Sequence, residues 1–246
     1  MQNKGGDKVT KHNLNDFAYK LIKDDIISCV LQPGMEVSEG SIIARYGLSK
    51  APTRSALIRL KQEGLIASRG RQGSVVSRIM LSDVQEIFQL RLLIEVTVAR
   101  LAAGKVNVTK IRELNKDVRT KCKTGKRRNM AGYLRANRKF HQYVAESSGN
   151  QRLAVLASSL MEQHERIVHL GLAKQNRRHD FLHFHDEFVD ALINGDGERA
   201  GRLVETSLRK GQEKVMTALM MGSTDQISVV GINLSLEYYQ LVEVAL

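Results

Sequence analysis

The chain has 246 residues, and its 38 Lys and Arg against 26 Asp and Glu give a formal net charge of +12. Such an excess favours an anionic partner, with nucleic acid first and a membrane surface second. Two cysteines make no disulfide framework, and the sequence shows neither the apolar core of a signal peptide nor a run of about 20 apolar residues. We therefore expect a cytoplasmic protein with no membrane partner.

The N-terminal quarter contains both prolines, Pro33 and Pro52, so proline forbids no helix in the rest of the chain. Residues 15–31 predict a first helix, capped by Asn15 or Asp16. Its apolar positions at helical spacing are Phe17, Leu21, Ile22, Ile26 and Val30. A turn at "QPGM" follows, and then a short helix from Ser38 that stops at Gly47.

The stretch "SKAPTRSALIRLKQEG" predicts a second helix directly after a glycine turn. Ser49 is its predicted N-cap, and Pro52 fits the first turn, where a missing N–H costs little. Ala56, Leu57 and Leu60 form an apolar stripe, and Lys50, Thr53, Arg54 and Lys61 are interpreted as lying off it. Two helices joined by a tight turn, with cations at the start of the second, are typical of a helix-turn-helix.

A basic hairpin follows this helix. Residues 65–68 and 74–79 read as short strands, and "RGRQG" between them is a glycine-bearing tip with Arg69 and Arg71. Residues 45–78 contain eight basic residues and one acid. The hairpin therefore predicts a wing that reaches the DNA backbone or minor groove.

This pattern resembles the GntR superfamily of bacterial transcriptional regulators. The resemblance runs through "LQPGMEVSEGSIIARYGLSKAPTRSALIRLKQEGLIASRGRQGSVV", with its Pro-Gly, Pro-x-Arg-x-Ala-Leu, Glu-Gly-Leu and glycine wing. It implies that Lys50 and Arg54 occupy the two recognition-helix positions that contact DNA. Lys50 stands where arginine is usual, which loses the bidentate fork on guanine. Gly40 replaces a contacting arginine of some members. The DNA-binding residues that we predict are Ser49, Lys50, Thr53, Arg54, Arg69, Arg71 and Gly73.

Residues 81–220 predict an all-helical bundle of about six helices. Ser82 is the predicted cap of the first, with Gln85 completing a capping-box pattern, and this helix keeps apolar residues at helical spacing to Leu101. The others are expected at about 109–121, 130–147, 150–173, 181–194 and 197–220. The fold is thus mainly α, with a winged helix-turn-helix of three helices and a small hairpin before the bundle.

The bundle resembles the FCD ligand-binding domain found behind such winged helices in the FadR subfamily, on "LRLLIEVTVARLAA", "FHQYVAESSGN" and "HDEFVDALINGDGERAGRLV". Many members hold a divalent metal with one Asp and three His, and the metal anchors a carboxylate effector. The matching positions here are Asn137, His141, His185 and Ser207. Because Asn brings no charge and Ser is a poor ligand for zinc-like ions, we expect either a weak site for Zn, Ni or Mn at His141, His185 and Asn137 or an organic ligand bound directly, with tight metal binding as the alternative.

Further polar residues have two interpretations each. Arg91 either clamps an effector carboxylate or forms an ion pair with Glu95, and Arg166 is a weaker candidate for the same role. The predicted effector-binding residues are Arg91, Asn137, His141, His185 and Ser207. His164, His169, His179 and His183 are interpreted as surface or core residues. The basic run at 105–139 is interpreted as a solvated face rather than a second binding patch.

The sequence therefore predicts a flexible N-terminus at 1–13, a winged helix-turn-helix at 14–79, a helical effector-binding and dimerisation domain at 81–220, and a tail at 221–246. We expect a transcriptional regulator that acts as a repressor. It would bind a palindromic operator as a homodimer and respond to a small carboxylate. It would not be an enzyme. A metal-assisted hydrolase and a non-specific architectural DNA-binding protein are the alternatives that remain.

Overall fold

The computed structural model describes residues 11–70, 73–123, 130–171, 182–221 and 227–228. Its N-terminal unit contains α1 (Lys11–Ile27), β1 (Glu36–Val37), α2 (Glu39–Tyr46), α3 (Lys50–Gln62), β2 (Ile66–Ser68) and β3 (Ser74–Val76). The helical body follows with β4 (Ile79–Met80), α4 (Leu81–Ala102), α5 (Val108–Lys123), α6 (Met130–Ser147), α7 (Gln151–Gly171), α8 (Leu182–Ile193), α9 (Gly197–Met221) and β5 (Ile227–Ser228).

The three helices of the N-terminal unit close over a small apolar core. Ile22 and Ile26 of α1 pack with Ile42 of α2 and Leu60 of α3, and all four are at most 1% exposed. Ser38 caps α2, because its hydroxyl accepts from the Ser41 N–H at 3.0 Å. Gly47 ends α2 with φ 65°, a left-handed conformation that favours glycine. The predicted helix-turn-helix is confirmed.

A three-stranded antiparallel sheet, in the order β1-β3-β2, completes this unit. The predicted hairpin is present as β2 and β3, with Ile66 opposite Val76 and Ser68 opposite Ser74. The sequence did not predict β1, which pairs Glu36 with Val75 after the Pro-Gly turn. Gly34 makes that turn at φ 82° and donates its N–H to the Val76 carbonyl oxygen at 2.8 Å.

In the described ranges the body consists of six helices, as the sequence predicts. Phe140, Phe188, Ile111 and Leu192 are fully buried in the larger of its two apolar clusters. The smaller cluster, around Phe88, joins the start of α4 to α6, α7 and α9. The apolar spacing therefore predicts the number and order of the helices in the body.

Several local predictions were wrong. The first helix begins at Lys11, before Asn15 and inside the segment expected to be flexible, of which residues 1–10 lie outside the described residues. Phe17 is 55% exposed and Val30 49% exposed, since Ala18 and Leu31 take the inward positions. The long helix α4 begins at Leu81 rather than after Ser82, and the Met80 N–H donates to Asp83 Oδ2 at 2.7 Å. Of the predicted tail at 221–246, the structure describes only residues 221 and 227–228.

Polar contacts join the two units. Lys23 of α1 lies between two carboxylates, 3.0 Å from Glu63 Oε2 at the end of α3 and 2.7 Å from Glu162 Oε2 on α7. Arg166 of α7 donates from Nη2 to the carbonyl oxygen of Ser77, which precedes β4. The short strand β4 also pairs in parallel with β5. The segment that connects the units is therefore bound by α7 and by β5.

Candidate DNA-binding surface and effector pocket

The N-terminal half of α3 presents two cations to solvent. Lys50 begins the helix and is exposed, and the side chain of Arg54 is 61% exposed one turn later. The opposite face carries Ala56, Leu57 and Leu60, which are buried in the core. Burial of that stripe fixes the rotation of α3, so Lys50 and Arg54 must face outward together.

Arg54 is held by a neighbour on α2. Its Nε donates to Glu39 Oε1 at 2.7 Å, and this hydrogen bond raises the pKa of the Arg54 guanidinium. A guanidinium has five N–H donors, so its other N–H groups stay available for a base edge or a phosphate. Sequence reasoning missed Glu39, although its place in the first turn of α2, across the tight turn from Arg54, was a usable signal.

One predicted DNA contact and one predicted cap at this tip need correction. Thr53 is 0% exposed, and its hydroxyl donates to the Ser49 carbonyl oxygen at 2.9 Å, so its side chain cannot reach DNA in this conformation. Ser49 is the N-cap of α3 and is exposed, but its side chain makes no capping hydrogen bond. The Ser49 hydroxyl is therefore free to contact a phosphate, while Thr53 has a structural role.

The wing lies between β2 and β3. The Arg69 N–H donates to the Gly73 carbonyl oxygen at 2.8 Å and closes the hairpin, and Gly73 has φ 90°, which a side chain would strain. Arg69 is exposed, as a contact with the DNA backbone requires. Arg71, the second predicted wing arginine, lies outside the described residues.

The pocket residues come from two helices of the body. Asn137 and His141 lie one turn apart on α6, and His185 lies on α8. His185 Nε2 is 2.9 Å from Asn137 Oδ1, and the rings of His141 and His185 are 5.5 Å apart between centroids. The tautomer of His185 decides whether the ring or the amide of Asn137 donates in this contact. The structure thus brings together three of the four predicted positions.

Burial keeps both histidines neutral. It lowers the pKa of His141 to about 3, assisted by the positive charge of Arg91. It lowers the pKa of His185 to about 3 as well, with His141 contributing. His185 is 2% exposed, and its Nδ1 has no hydrogen-bond partner. His164, which the sequence did not place here, lies on α7 near Arg91 and His141, and its pKa is also lowered by burial.

These residues do not fit a zinc-type ion. The set offers two imidazoles, His141 and His185, and the amide of Asn137, which brings no charge. Ser207 lies on α9, half-buried, and would supply only a neutral hydroxyl. Within the described ranges, no group of three or more His, Cys, Asp or Glu could hold a metal ion.

Arg91 forms the ion pair that was one of its two predicted roles, but it does so inside the protein. Its Nε donates to Glu95 Oε1 at 2.6 Å, and the two side chains are 6% and 7% exposed. Glu95 and His141 line a cavity of about 10 Å³, which has room for about one water molecule. An organic effector therefore needs the helices around this cavity to separate.

The remaining predicted residues have other positions. Arg166 is buried and bonds to the backbone of Ser77, so it serves the junction between units rather than a pocket. His169 is 3.8 Å from Glu165 on its own helix. His179 lies outside the described residues, as does the side chain of His183.

Comparisons with known proteins agree with this arrangement. Residues 14–76 match the gntR family of bacterial regulatory proteins, and residues 86–210 match the FCD domain. The HTH-type transcriptional repressor RspR of Escherichia coli K12 is 25% identical over 82% of this chain and 89% of its own length. The gluconate operon transcriptional repressor of Bacillus licheniformis is 24% identical over 70% of this chain and 72% of its own.

Solved structures share the fold. The match to E. coli McbR/YncC has a TM-score of 0.73 at 18% identity and covers 83% of this chain and 97% of the McbR/YncC chain. A protein described as a transcriptional regulator GntR from Rhodococcus sp. RHA1 has a TM-score of 0.70 at 22% identity, with 83% and 98% covered. Among the helices that the structure describes, none has the length and apolarity of a bilayer span. The chain belongs to the GntR family of transcriptional regulators and carries an FCD domain.

Proposed function

We propose that this regulator represses transcription by binding a two-fold symmetric operator as a homodimer, with the tip of α3 in the major groove. The observation that carries this proposal is the exposed pair Lys50 and Arg54, held outward by the buried face of α3. Arg69 at the wing would contact the adjacent backbone. Two curated relatives are named repressors, which supports the sense of regulation. The regulator would act in the cytoplasm, where bacterial DNA lies.

The outer face of α4 supports the homodimer. Leu90 is 49% exposed, Leu93 66% and Leu101 38%, and the three lie with Thr97 within about 80° of the helix circumference. An apolar stripe of this kind on an otherwise packed helix suits a second copy of the chain. Paired α4 helices would set the distance between two wings, which must match about 34–36 Å or a multiple on DNA.

The effector would enter the cavity beside His141 and Glu95. A small carboxylate would compete with Glu95 for Arg91, the buried cation of the site. The relative from B. licheniformis is named for a gluconate operon, and gluconate is a carboxylate of this kind. Neutral His141 and His185 would add hydrogen bonds. Because the donor set does not fit a zinc-type ion, the effector would bind directly rather than through a metal, and no catalysis is proposed.

A chain of ion pairs connects this pocket with the DNA-binding unit. Arg138 follows Asn137 on α6 and is 3.3 Å from Glu162, which holds Lys23 of α1. Lys23 in turn contacts Glu63 at the end of α3. A shift of α6 on effector binding would therefore change the support of the recognition helix. Such a shift regulates only if the effector has different affinities for the two arrangements.

Footprinting on DNA fragments selected from the source genome tests the proposal. A single protected palindrome is the expected result. Uniform protection would favour an architectural protein, and turnover of a candidate acid by the purified chain would favour an enzyme. Either result would overturn the proposed operator-specific repressor.

A further inference from the structure

An acidic side chain lies at the proposed DNA surface, where it would repel a phosphate. The helix α3 itself contains no Asp or Glu between Lys50 and Gln62. Glu39 comes from the first turn of α2, and its Oε1 lies 2.7 Å from Arg54 Nε. The side chain of Glu39 is 32% exposed, so its carboxylate is accessible on the surface that DNA would approach. A negative charge there opposes binding to a polyanion unless it has a second effect.

The fold keeps Glu39 in this position. Ser38 caps α2, and Ile42 of the same helix is 1% exposed in the core. Gly40 adds no side chain beside the carboxylate, and among the described residues a Cβ there would meet only Ser38 Oγ, at 3.9 Å. The start of α2 is thus fixed to the core on its inner side, and its outer side leaves space for DNA.

Lys50 and Arg54 therefore differ in their availability to phosphates. Lys50 is exposed and has no acidic partner among the residues that the structure describes, so its charge is free for a phosphate. The charge of Arg54 is balanced by Glu39. A phosphate placed on the Arg54 guanidinium would lie close to the carboxylate as well, and the two negative charges would repel each other.

The free edge of the Arg54 guanidinium matches a base. Because Nε donates to Glu39, the edge formed by Nη1 and Nη2 remains, and it offers two parallel N–H donors. In the major groove guanine presents two neighbouring acceptors, O6 and N7, which an arginine contacts through two hydrogen bonds. These base acceptors carry no net charge, so the Glu39 carboxylate does not repel them as it repels a phosphate.

We propose that Glu39 is a specificity-determining positioning residue, which directs Arg54 away from phosphates and onto a guanine of the operator. This role requires the proposed binding of α3 in the major groove. Glu39 lowers the affinity for every sequence through its charge, and part of that affinity returns only where Arg54 meets guanine. Sequence selectivity at the tip of α3 thus depends on an acidic residue of the preceding helix.

Two variants separate the charge of Glu39 from its hydrogen bond. Glu39→Gln keeps an acceptor for Arg54 Nε but removes the charge, and Glu39→Ala removes both. Because the ion pair is exposed, both variants should keep the wild-type fold, which circular dichroism checks.

Fluorescence anisotropy on the full chain compares a genome-selected fragment with a scrambled duplex of the same length. Glu39→Gln should bind the scrambled duplex more tightly than the wild type does. Its affinity for that duplex should also fall more steeply with salt, by about 1 in the logarithmic slope, because Arg54 gains a phosphate. The ratio of the affinities for the two duplexes should decrease about fivefold in Glu39→Gln and further in Glu39→Ala.

Asp16→Asn is the matched control, since Asp16 also pairs with an arginine of α3, but with Arg59 toward the other end of the helix. It should leave the affinity ratio and the salt slope unchanged. A second measurement replaces the guanines of the protected half-sites with 7-deazaguanine, which lacks the N7 acceptor. This replacement should weaken binding of the wild type but not of Arg54→Ala.

Two results would overturn the role of Glu39 while the proposed function stands. One is a Glu39→Gln variant with the affinity ratio and salt slope of the wild type, and the other is a wild type that tolerates 7-deazaguanine. An equal change of the ratio in Asp16→Asn would also overturn it, because net charge alone would then explain the effect. A wild type that does not distinguish the selected fragment from the scrambled duplex would contradict the proposed function and this role together.

Discussion

Arg54 Nε lies 2.7 Å from Glu39 Oε1, so the recognition helix and the helix before it share an ion pair at the proposed DNA surface. The pair is largely exposed and adds little stability, as surface ion pairs do. Its effect is geometric, because it fixes the direction of the guanidinium before DNA arrives. Preorganised arginines lose less rotamer freedom on binding.

Substitution of Arg54 tests this surface. Arg54→Ala should weaken binding to a genome-selected fragment by about 1–3 kcal/mol if Arg54 reads a base. Fluorescence anisotropy measures the change. Arg152→Ala is the control, since Arg152 is an exposed arginine on α7, away from α3. Equal affinities of the two variants would remove Arg54 from the interface.

The order of elements was predictable because it depends on local spacing. The stripe Ala56, Leu57 and Leu60 defined α3, and Gly47 marked the end of α2. The prediction for Thr53 was wrong because its residue type pointed to the surface. Thr53 lies three, four and seven positions before the stripe residues and therefore on the same face, but its hydroxyl suggested a surface role.

Contacts between distant segments could not be predicted. The two-residue strand β1 has no periodicity, and it pairs only because Gly34 turns the chain toward Val76. The pairing of Arg91 with Glu95 follows from their spacing, but its burial depends on helices far along the chain. The position of His164 in the same pocket has no local signal at all.

The contact between Lys23 and Glu162 should stabilise the junction of the two units. Burial disfavours the charge of Lys23, but hydrogen bonds from Lys23 to Glu162, Tyr19 and Glu63 outweigh it and raise the pKa of Lys23. A double-mutant cycle with Lys23→Met and Glu162→Gln in urea should give a coupling of about 1 kcal/mol.

The exposed pair Glu205 and Arg209, on α9, is the reference for that cycle. Its coupling should be about 0.3–0.5 kcal/mol, as is usual for pairs four residues apart on a helix. A Lys23–Glu162 coupling no larger than this value would mean that the junction does not depend on the contact.

The buried histidines predict a pH dependence of stability. The pKa values of His141 and His185 are about 3 in the folded chain, against about 6.5 when unfolded. Below pH 6.5 the two histidines bind protons in the unfolded chain but not in the folded chain. The free energy of unfolding therefore decreases as the pH is lowered. The limit is about 1.4 kcal/mol per pH unit for each histidine. The positive charge of Arg91 also lowers the pKa values of His141 and His164 in the same pocket. The lowered pKa of His164 adds to the same loss of stability at low pH.

Urea unfolding between pH 6.5 and 5 measures this slope before most carboxylates titrate. His185→Gln should flatten it, because glutamine does not titrate. A wild-type slope near zero over this range would show that the pocket histidines are not held neutral by burial.

Two substitutions should convert the pocket into a metal site. Asn137→Asp with Ser207→His supplies a charge and a third imidazole, so zinc affinity should rise about 100-fold over the wild type. Calorimetry with zinc chloride checks the gain, and Ser159→His, at an exposed position of α7, is the control. If the double variant binds zinc no better than the control, the four positions do not converge.

The salt dependence of DNA affinity tests most directly whether the α3 tip and the wing contact duplex DNA. Anisotropy titrations of one genome-selected fragment between 50 and 200 mM salt should show a steep fall in affinity for the wild type. Lys50→Gln and Arg69→Gln should each make the slope shallower by about 1, because each removes one cation from a phosphate. The account would be contradicted if the DNA affinity of the wild type did not change with salt concentration. It would also be contradicted if the variants kept the salt dependence of the wild type.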